Sequence, residues 1–501
     1  MKRFGVIADC HLPVEADTVK EKVFDWALAE AVRLKLDCII GAGDLTSCGS
    51  SAAAERIWQK LKATGIPFAL TPGNADLRDS SEKKKAMPFL KTYDELPGFF
   101  LPDSSSRGLV FIDKAKLQNL PAGTVVVTHC PPECFSPGER QELQQLLNEN
   151  RIALLIAGHF HIDRENGNEH LIRGLDPDKA AGGAPALTVF EEINGIWKRQ
   201  TIPCPAADPR NWSEEQKNGF LQNLGVSGMS APLECLEQAA ARQIGIFEFR
   251  FNEANDCSRN RLQQGIRNWR ENGGHTLSAS LPVCTWRDGE LFGGGRMRRA
   301  IALALEMECD CVRIKMPEIS LKDLASKAIR ERFAELCREM FLPLKQAHCR
   351  IAFDNARMPY RRWADENRPF GCLPTECIQW CDFMRRVLDW QDIGIQLDIG
   401  NARNNPPFSN RFTLSQWYRS TGKYCCGYTL HQVVRENLNE PMRGNFPLNS
   451  LFGRLISLSS FCMAWDEGTL NHAPMILEIK DQQGITCYDA LKSALLNRHF
   501  S

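Results

Sequence analysis

Five short apolar runs near the start of the chain each end in side chains of metal-ligating type, and this repetition constrains the fold more than any other feature. The runs are FGVIAD, DCIIGAGD, PFALTPGN, TVVVTH and IALLIAGHFH. Between the first two, apolar residues recur at Phe24, Ala27, Leu28, Ala31 and Leu34, and between the next two at Ala54, Ile57, Trp58 and Leu61. That is helical spacing, so the order is βαβαβ and the class is α/β. Open α/β sheets gather their functional groups at the carboxyl ends of strands. The groups found there are Asp9 and His11, Asp44, Asn74, His129, and His159 with His161. Asp9 and His11, like His159 and His161, are spaced i, i+2, which in extended backbone turns both side chains to one face. A single D-x-H or G-N is more often a strand-end turn than a ligand, but five such motifs in order, each after its own strand, point to a shared metal site.

The ordered set DxH, GD, GN, TH, GHFH resembles the calcineurin-like metallophosphoesterases over about residues 1–200. The resemblance implies an α/β sandwich with two divalent ions. Asp9, His11, Asp44 and His161 would hold one ion, and Asp44, Asn74, His129 and His159 the other, with Asp44 bridging. Mixed imidazole, carboxylate and amide donors favour Mn, Fe, Co or Zn. Two such ions about 3.5–4 Å apart clamp a phosphate and activate a bridging hydroxide for attack on phosphorus. Asp44, Asn74 and His129 would thus be catalytic as well as ligating. The sequence departs from the commonest family pattern in TPGNADLRD, where Ala75 follows Asn74 in place of a His. Without that imidazole, esters with good leaving groups are favoured, or Asp76 or a metal-bound water supplies the proton. An Ala75→His substitution is then expected to help poor leaving groups most. The polar stretch from Ser80 to Lys85 and the run from Ser104 to Ser106 read as surface loops.

The proline-rich, polar stretch 203–217 reads as a linker between a domain at 1–202 and a second at 218–501. After it, eight strand candidates alternate with helical segments: LGVSG, IGIFEFRF, HTLSASL, VRIKMP, RIAFDN, IGIQLDIG, CGYTLHQ and MILEIK. Eight βα units in about 280 residues predict a (β/α)8 TIM barrel. Four candidate ligands, Asp354, Asp398, His431 and Glu478, sit at the ends of its last four strands. The pieces FEFRF, FDNA, QLDIGNA, YTLHQ and LEIK resemble the xylose-isomerase-like barrels, a group that includes sugar epimerases and apurinic endonucleases. The resemblance implies one divalent ion (Mn, Co or Mg) held by those four residues. Asp354 and Glu478 would also move protons on a sugar carbon, and Arg443 would contact substrate. Two positions depart from the pattern: Asp354 stands where a Glu is usual, and Asn401 where a His is usual.

Sixty-one basic side chains balance 61 acidic ones, so no net field draws the chain to nucleic acid or to an anionic membrane. No run of about 18 apolar residues is present, and MKRFGVIADCH passes straight into a strand-like run rather than a signal-peptide core, so a cytoplasmic protein is expected. Its 20 cysteines then read as reduced, small hydrophobes. The expected partner is a small phosphate ester, sugar-derived if the barrel acts on the same molecule; the oligomeric state is left open. Two other readings stand beside phosphoester hydrolysis. In one, the barrel is a sugar isomerase or epimerase and the first domain is accessory; in the other, the chain is a non-catalytic, metal-binding regulatory protein.

Overall fold

Each of the five ligand-ending runs is a strand. The structure, a computed structural model, describes residues 3–79, 81–91, 96–105, 114–229, 231–251, 259–287, 289–358, 368, 370–403, 411–434, 442–480 and 483–496. Strands β1 (Arg3–Ile7), β2 (Cys38–Ala42) and β3 (Phe68–Thr71) are followed by β4 (Phe99–Phe100), β5 (Thr124–Thr128) and β6 (Ile152–Ala157). Next come β7 (Arg164–Asn166), β8 (Glu169–Leu171), β9 (Ala186–Ile193) and β10 (Ile196–Pro203). They form two five-stranded sheets, in the orders β10-β9-β1-β2-β3 and β4-β5-β6-β8-β7. β1, β2 and β3 are mutually parallel, as are β4, β5 and β6.

Alternate residues of both sheets meet in one core: Phe4 and Val6 of β1, with Ala8 just after it, against Val125, Val127, Leu154 and Ile156 of the second sheet. Each of these is at most 3% exposed, so the sandwich is dry. Helix α1 (Val19–Arg33) buries Phe24, Ala27, Leu28 and Ala31, and helix α2 (Ser51–Ala63) buries Ala54, Ile57 and Leu61, the apolar faces expected from their spacing. Ser50 caps α2 by accepting from Ala53 N–H. Two expected surface loops are otherwise. A helix begins at Lys83, and Ser104 and Ser105 are buried; Ser80 and Ser106 lie outside the described residues.

By packing, the chain divides into two compact units: Met1–Asn211 together with Phe452–Met463, and Trp212–Leu451 together with Ala464–Ser501. The stretch after β10 holds two short turns, Pro205–Ala207 and Pro209–Asn211, then a helix, Glu214–Gln222, whose start is closed by a reciprocal Ser213–Gln216 capping box. Within the first unit, the returning segment is fastened by backbone bonds: Ala180 N–H to Gly453 O (3.0 Å), Ser457 N–H to Asp178 O (2.9 Å) and Ser460 N–H to Pro177 O (3.1 Å). That same 176–178 loop holds the buried Lys20, whose Nζ meets Asp176 at 2.5 Å and Asp178 at 3.1 Å.

The second unit is a closed, all-parallel barrel. Its strands are β11 (Leu224–Gly228), β12 (Ile246–Arg250), β13 (Thr276–Ser280), β16 (Cys311–Lys315), β17 (Arg350–Asp354), β18 (Ile393–Asp398), β19 (Cys425–Leu430) and β22 (Met475–Leu477). All eight correspond to the runs read from the sequence. Two hairpins not anticipated there are inserted: β14 (Thr285–Arg287) with β15 (Glu290–Phe292), and β20 (Gln432–Val434) with β21 (Arg443–Phe446). Among the described residues no helix is long and apolar enough to cross a membrane, and 19 cysteines are free thiols.

Candidate active sites

The strand ends of the first unit bring all seven expected ligands together. His11 Nε2 lies 3.5 Å from Asp44 Oδ2, and His129 Nε2 lies 3.3 Å from Asp44 Oδ1, so one carboxylate faces both halves of the site. On one side, His161 Nε2 is 3.3 Å from His11 Nε2 and 3.7 Å from Asp9 Oδ1. On the other, His159 Nδ1 and Asn74 Oδ1 stand 3.2 and 3.1 Å from His129 Nε2. His129 Nδ1 is 3.1 Å from the Ala42 carbonyl, which fixes the proton there and leaves the Nε2 lone pair facing the site.

The backbone is bent to make this cluster. Asp9, His11, Asp44, His159 and His161 all have positive φ, between 46° and 74°, a region that side chains other than glycine enter at a cost. Five strained ligands in one cluster mark a site whose geometry the rest of the fold enforces. Gly73 is required for a different reason: a Cβ there would lie 2.2 Å from the Asp44 backbone nitrogen and from its Oδ1.

The residues fit divalent cations. Burial, with the neighbouring Asp44, pushes the Asp9 carboxyl well up, and among the described residues its Oδ1 has no hydrogen-bond donor. Burial also holds His11 and His161 well below the ordinary imidazole range, leaving them neutral, as a ligand must be. With nitrogen turned inward, Asn74 would donate to His129 Nε2 (3.1 Å) and His159 Nδ1 (3.0 Å). With oxygen inward, acceptors face acceptors, an arrangement that needs a cation among them.

The loop after Asn74 has a different role from the one read in the sequence. Ala75 donates its N–H to Asp44 Oδ1 at 2.6 Å, and its methyl is fully buried, so an imidazole at this position would overpack the loop. Asp76, also fully buried, accepts from Gly73 N–H (2.9 Å), Thr46 N–H (2.8 Å), Thr46 Oγ1–H (2.7 Å) and Leu45 N–H (3.3 Å). It is a clasp tying the second and third strand-end loops together, and burial, with the neighbouring Asp44, pushes its carboxyl up to about 6 against the pull of these donors. Three further contributors escaped the sequence reading. The Ser104 hydroxyl accepts from the N–H groups of His129 and Cys130 (2.9 and 3.0 Å), the Cys130 thiol joins His129 and His159, and Arg454 of the returning segment lies 5.3 Å from the Phe160 ring centroid.

Residues 2–163 match the calcineurin-like phosphoesterase family. The first unit therefore carries a calcineurin-like phosphoesterase domain, although the match spans less than half of the chain. No curated protein matches the chain closely enough to rank as a relative. Solved structures similar to it include a xylose isomerase candidate from Rhodospirillum rubrum (14% identity, 55% of this chain and 98% of that one, TM-score 0.42). Others are a D-psicose 3-epimerase from Clostridium cellulolyticum (12%, 55% and 96%, 0.38) and a family 2 AP endonuclease from Brucella melitensis (16%, 53% and 98%, 0.37).

In the barrel, the four expected ligands also converge, lining a cavity of about 330 Å³ at the carboxyl ends of the strands. Their partners differ from the expectation. Arg313, on β16 and 3% exposed, donates its Nε–H to Asp354 Oδ1 and Oδ2 (2.7 and 2.8 Å) and its Nη1–H to Glu248 Oε1 (3.1 Å). Its Nη2 is 2.7 Å from Glu478 Oε2. His431 Nδ1 lies 2.9 Å from the Asn445 nitrogen and 3.1 Å from the Gln432 carbonyl oxygen, and its Nε2 lies 3.0 Å from Asp398 Oδ1. Burial pushes the Glu248 carboxyl up to about 7 and the Asp354 carboxyl up to about 6, against the pull of Arg313. Two of the four expected ligands, Asp354 and Glu478, are bound by a buried guanidinium that repels a cation, so the residues do not fit the barrel ion implied by the resemblance. Arg443 is exposed on β21 and is not among the residues lining the cavity, whereas its neighbours Gly444 and Asn445 are.

Proposed function

We propose that the chain hydrolyses a small phosphate ester, a monoester or a diester, at a dinuclear divalent-metal centre in its first unit. The observation that supports this best is the inward-facing set of seven donors, five of them on strained backbone, with Asp44 shared between the two halves. The ions, when bound, supply Lewis acidity and lower the pKa of a water. The chain's own part is to hold them. Asp9, His11 and His161 form one side, Asn74, His129 and His159 the other, and the Asp76 clasp and Ser104 fix the loops that carry Asn74 and His129. Arg454 is the exposed cation beside Phe160, suited to meet a substrate's negative charge. With Ala75 at this position, no imidazole is offered to the leaving oxygen, which favours esters that leave readily.

The test uses the full chain loaded with Mn²⁺ and two chromogenic probes, p-nitrophenyl phosphate and bis-p-nitrophenyl phosphate. At least one should be hydrolysed, and Asp44→Asn should abolish the activity. Metal-loaded protein inert towards both probes would overturn the reading.

A further inference from the structure

We propose that the barrel cavity is a metal-independent binding site for a small hydroxylated anion, with the Arg313 guanidinium standing where a divalent cation would otherwise bind. The inference does not rest on hydrolysis in the first unit.

Successive inward positions on each strand give the site two levels. The lower level is a buried cluster of one cation and three carboxyl groups, Arg313 with Glu248, Asp354 and Glu478, all at most 4% exposed. Removing this guanidinium would leave three buried carboxylates facing one another, a loss worth several kcal/mol. The arginine therefore belongs to the barrel's framework, and it satisfies the oxygens a metal would need. The upper level is two residues further along the same strands, where Arg250 follows Glu248 and Lys315 follows Arg313.

That upper level is cationic. Arg250, Lys315 and Arg357 line the 330 Å³ cavity, outnumbering the one exposed carboxylate there, Glu318; Arg250 also lies 3.4 Å from Glu478 Oε1. Arg250 and Lys315 also line an adjoining cavity of about 240 Å³, to which Arg296 contributes. Among the described residues, no ion pair involves Lys315 or Arg357, and both are exposed. The floor beneath is lined by Asn401, Asp398 and His431, polar groups of the kind that exchange hydrogen bonds with hydroxyls, and by Asn355, whose amide is held by the Asp398 backbone. A polar floor under a rim of cations fits a small molecule with hydroxyls at one end and a phosphate or carboxylate at the other. The volume lies at the lower end of the range of about 300–1,000 Å³ seen for small-molecule sites, which excludes a polymer inside it.

The experiment uses full-length protein stripped of metal with a chelator, titrated calorimetrically with glucose 6-phosphate, gluconate and glucose. At least one of the two anions should bind, and glucose at least tenfold more weakly. Lys315→Ala and Arg357→Ala should each lower the anion's affinity about tenfold, the effect of losing one hydrogen bond to a charged group. Comparing the two anions decides between phosphate and carboxylate. Separately, metal analysis of Mn²⁺-loaded protein should give the same ion count in wild type and Asp398→Asn. Arg313→Ala, if it folds, should gain one ion in the vacated carboxylate cage. The proposal fails if neither anion binds, if both rim variants bind like wild type, or if Asp398→Asn loses an ion. None of these results bears on whether the first unit hydrolyses esters, which the chromogenic probes report separately.

Discussion

Asp76 separates two accounts of the loop that follows Asn74. If it is a clasp, its four hydrogen bonds set its importance: three come from backbone N–H groups of Leu45, Thr46 and Gly73, and one from the Thr46 hydroxyl. Asp76→Ala strips all three buried N–H donors of their acceptor, at about 1–3 kcal/mol for each donor left unsatisfied. Some relief from entering water brings the expected loss to roughly 3–6 kcal/mol, a large share of the ~5–15 kcal/mol that stabilises a typical domain. Asp76→Asn keeps one acceptor and sets an amide NH2 against the other donors, so about half that loss is expected. Because the loop also carries Asn74 and presents Ala75 N–H to Asp44, Mn²⁺ affinity should fall about 10–100-fold, the usual effect of losing a residue that supports metal ligands. Thermal melts of the metal-free protein and calorimetric titration with Mn²⁺ measure both quantities. A proton donor would behave differently: Asp76→Asn would keep stability and metal affinity and lose rate only on esters with poor leaving groups. That outcome would refute the clasp.

Other consequences can be checked with the same preparations. Gly73→Ala drives a methyl into the Asp44 carboxylate and should lower the ion count measured by metal analysis. Ala75→His should destabilise the protein by about 1–3 kcal/mol by overpacking, without speeding poor leaving groups. Arg454→Ala should raise KM for the chromogenic esters several-fold and leave kcat nearly unchanged. Lys20→Met leaves Asp176 and Asp178 without their nearest cation and should cost about 3–5 kcal/mol in urea melts. Glu248 has a raised pKa in the fold, so the folded state binds more protons than the unfolded between roughly pH 4.5 and 7, and stability falls as pH rises through that window. Glu248→Gln should flatten that slope in melting temperature, and an unchanged slope would place its origin elsewhere.

The first site was legible because each ligand closes its own apolar run, so finding the strands located the donors. What it took to hold them was not. Positive φ at Asp9 or His161 leaves no trace in composition, and Ser104 is 25 residues from the His129 amide it serves. The barrel was legible as eight strands for the same reason, but its centre was misread. Arg313 in VRIKMP and Glu248 in FEFRF look like the polar face of a half-exposed strand. In a closed barrel both faces of a strand are buried, so alternate charged residues on neighbouring strands must find one another inside. Applying that rule to Glu248, Arg313, Asp354 and Glu478 together would have exposed the ion cluster. Asp354 and Glu478 alone, without the arginine between them, invited a metal.

The returning segment Phe452–Met463 has a consequence for how this protein can be made. Ser457, Ser459 and Ser460 are fully buried, and the Ser459 hydroxyl donates to Ala207 O at 2.5 Å, so the segment fills interior space of the first unit rather than decorating its surface. A gene truncated after Asn211 would encode every candidate metal ligand of the first unit yet leave that space open to water. On the ribosome, the unit whose strands are made first cannot finish folding until residues 212–451 and then this segment have emerged. The first unit is first in order of synthesis and among the last parts to be completed, and a fragment library cut at its apparent end would score a sound candidate site as an insoluble one.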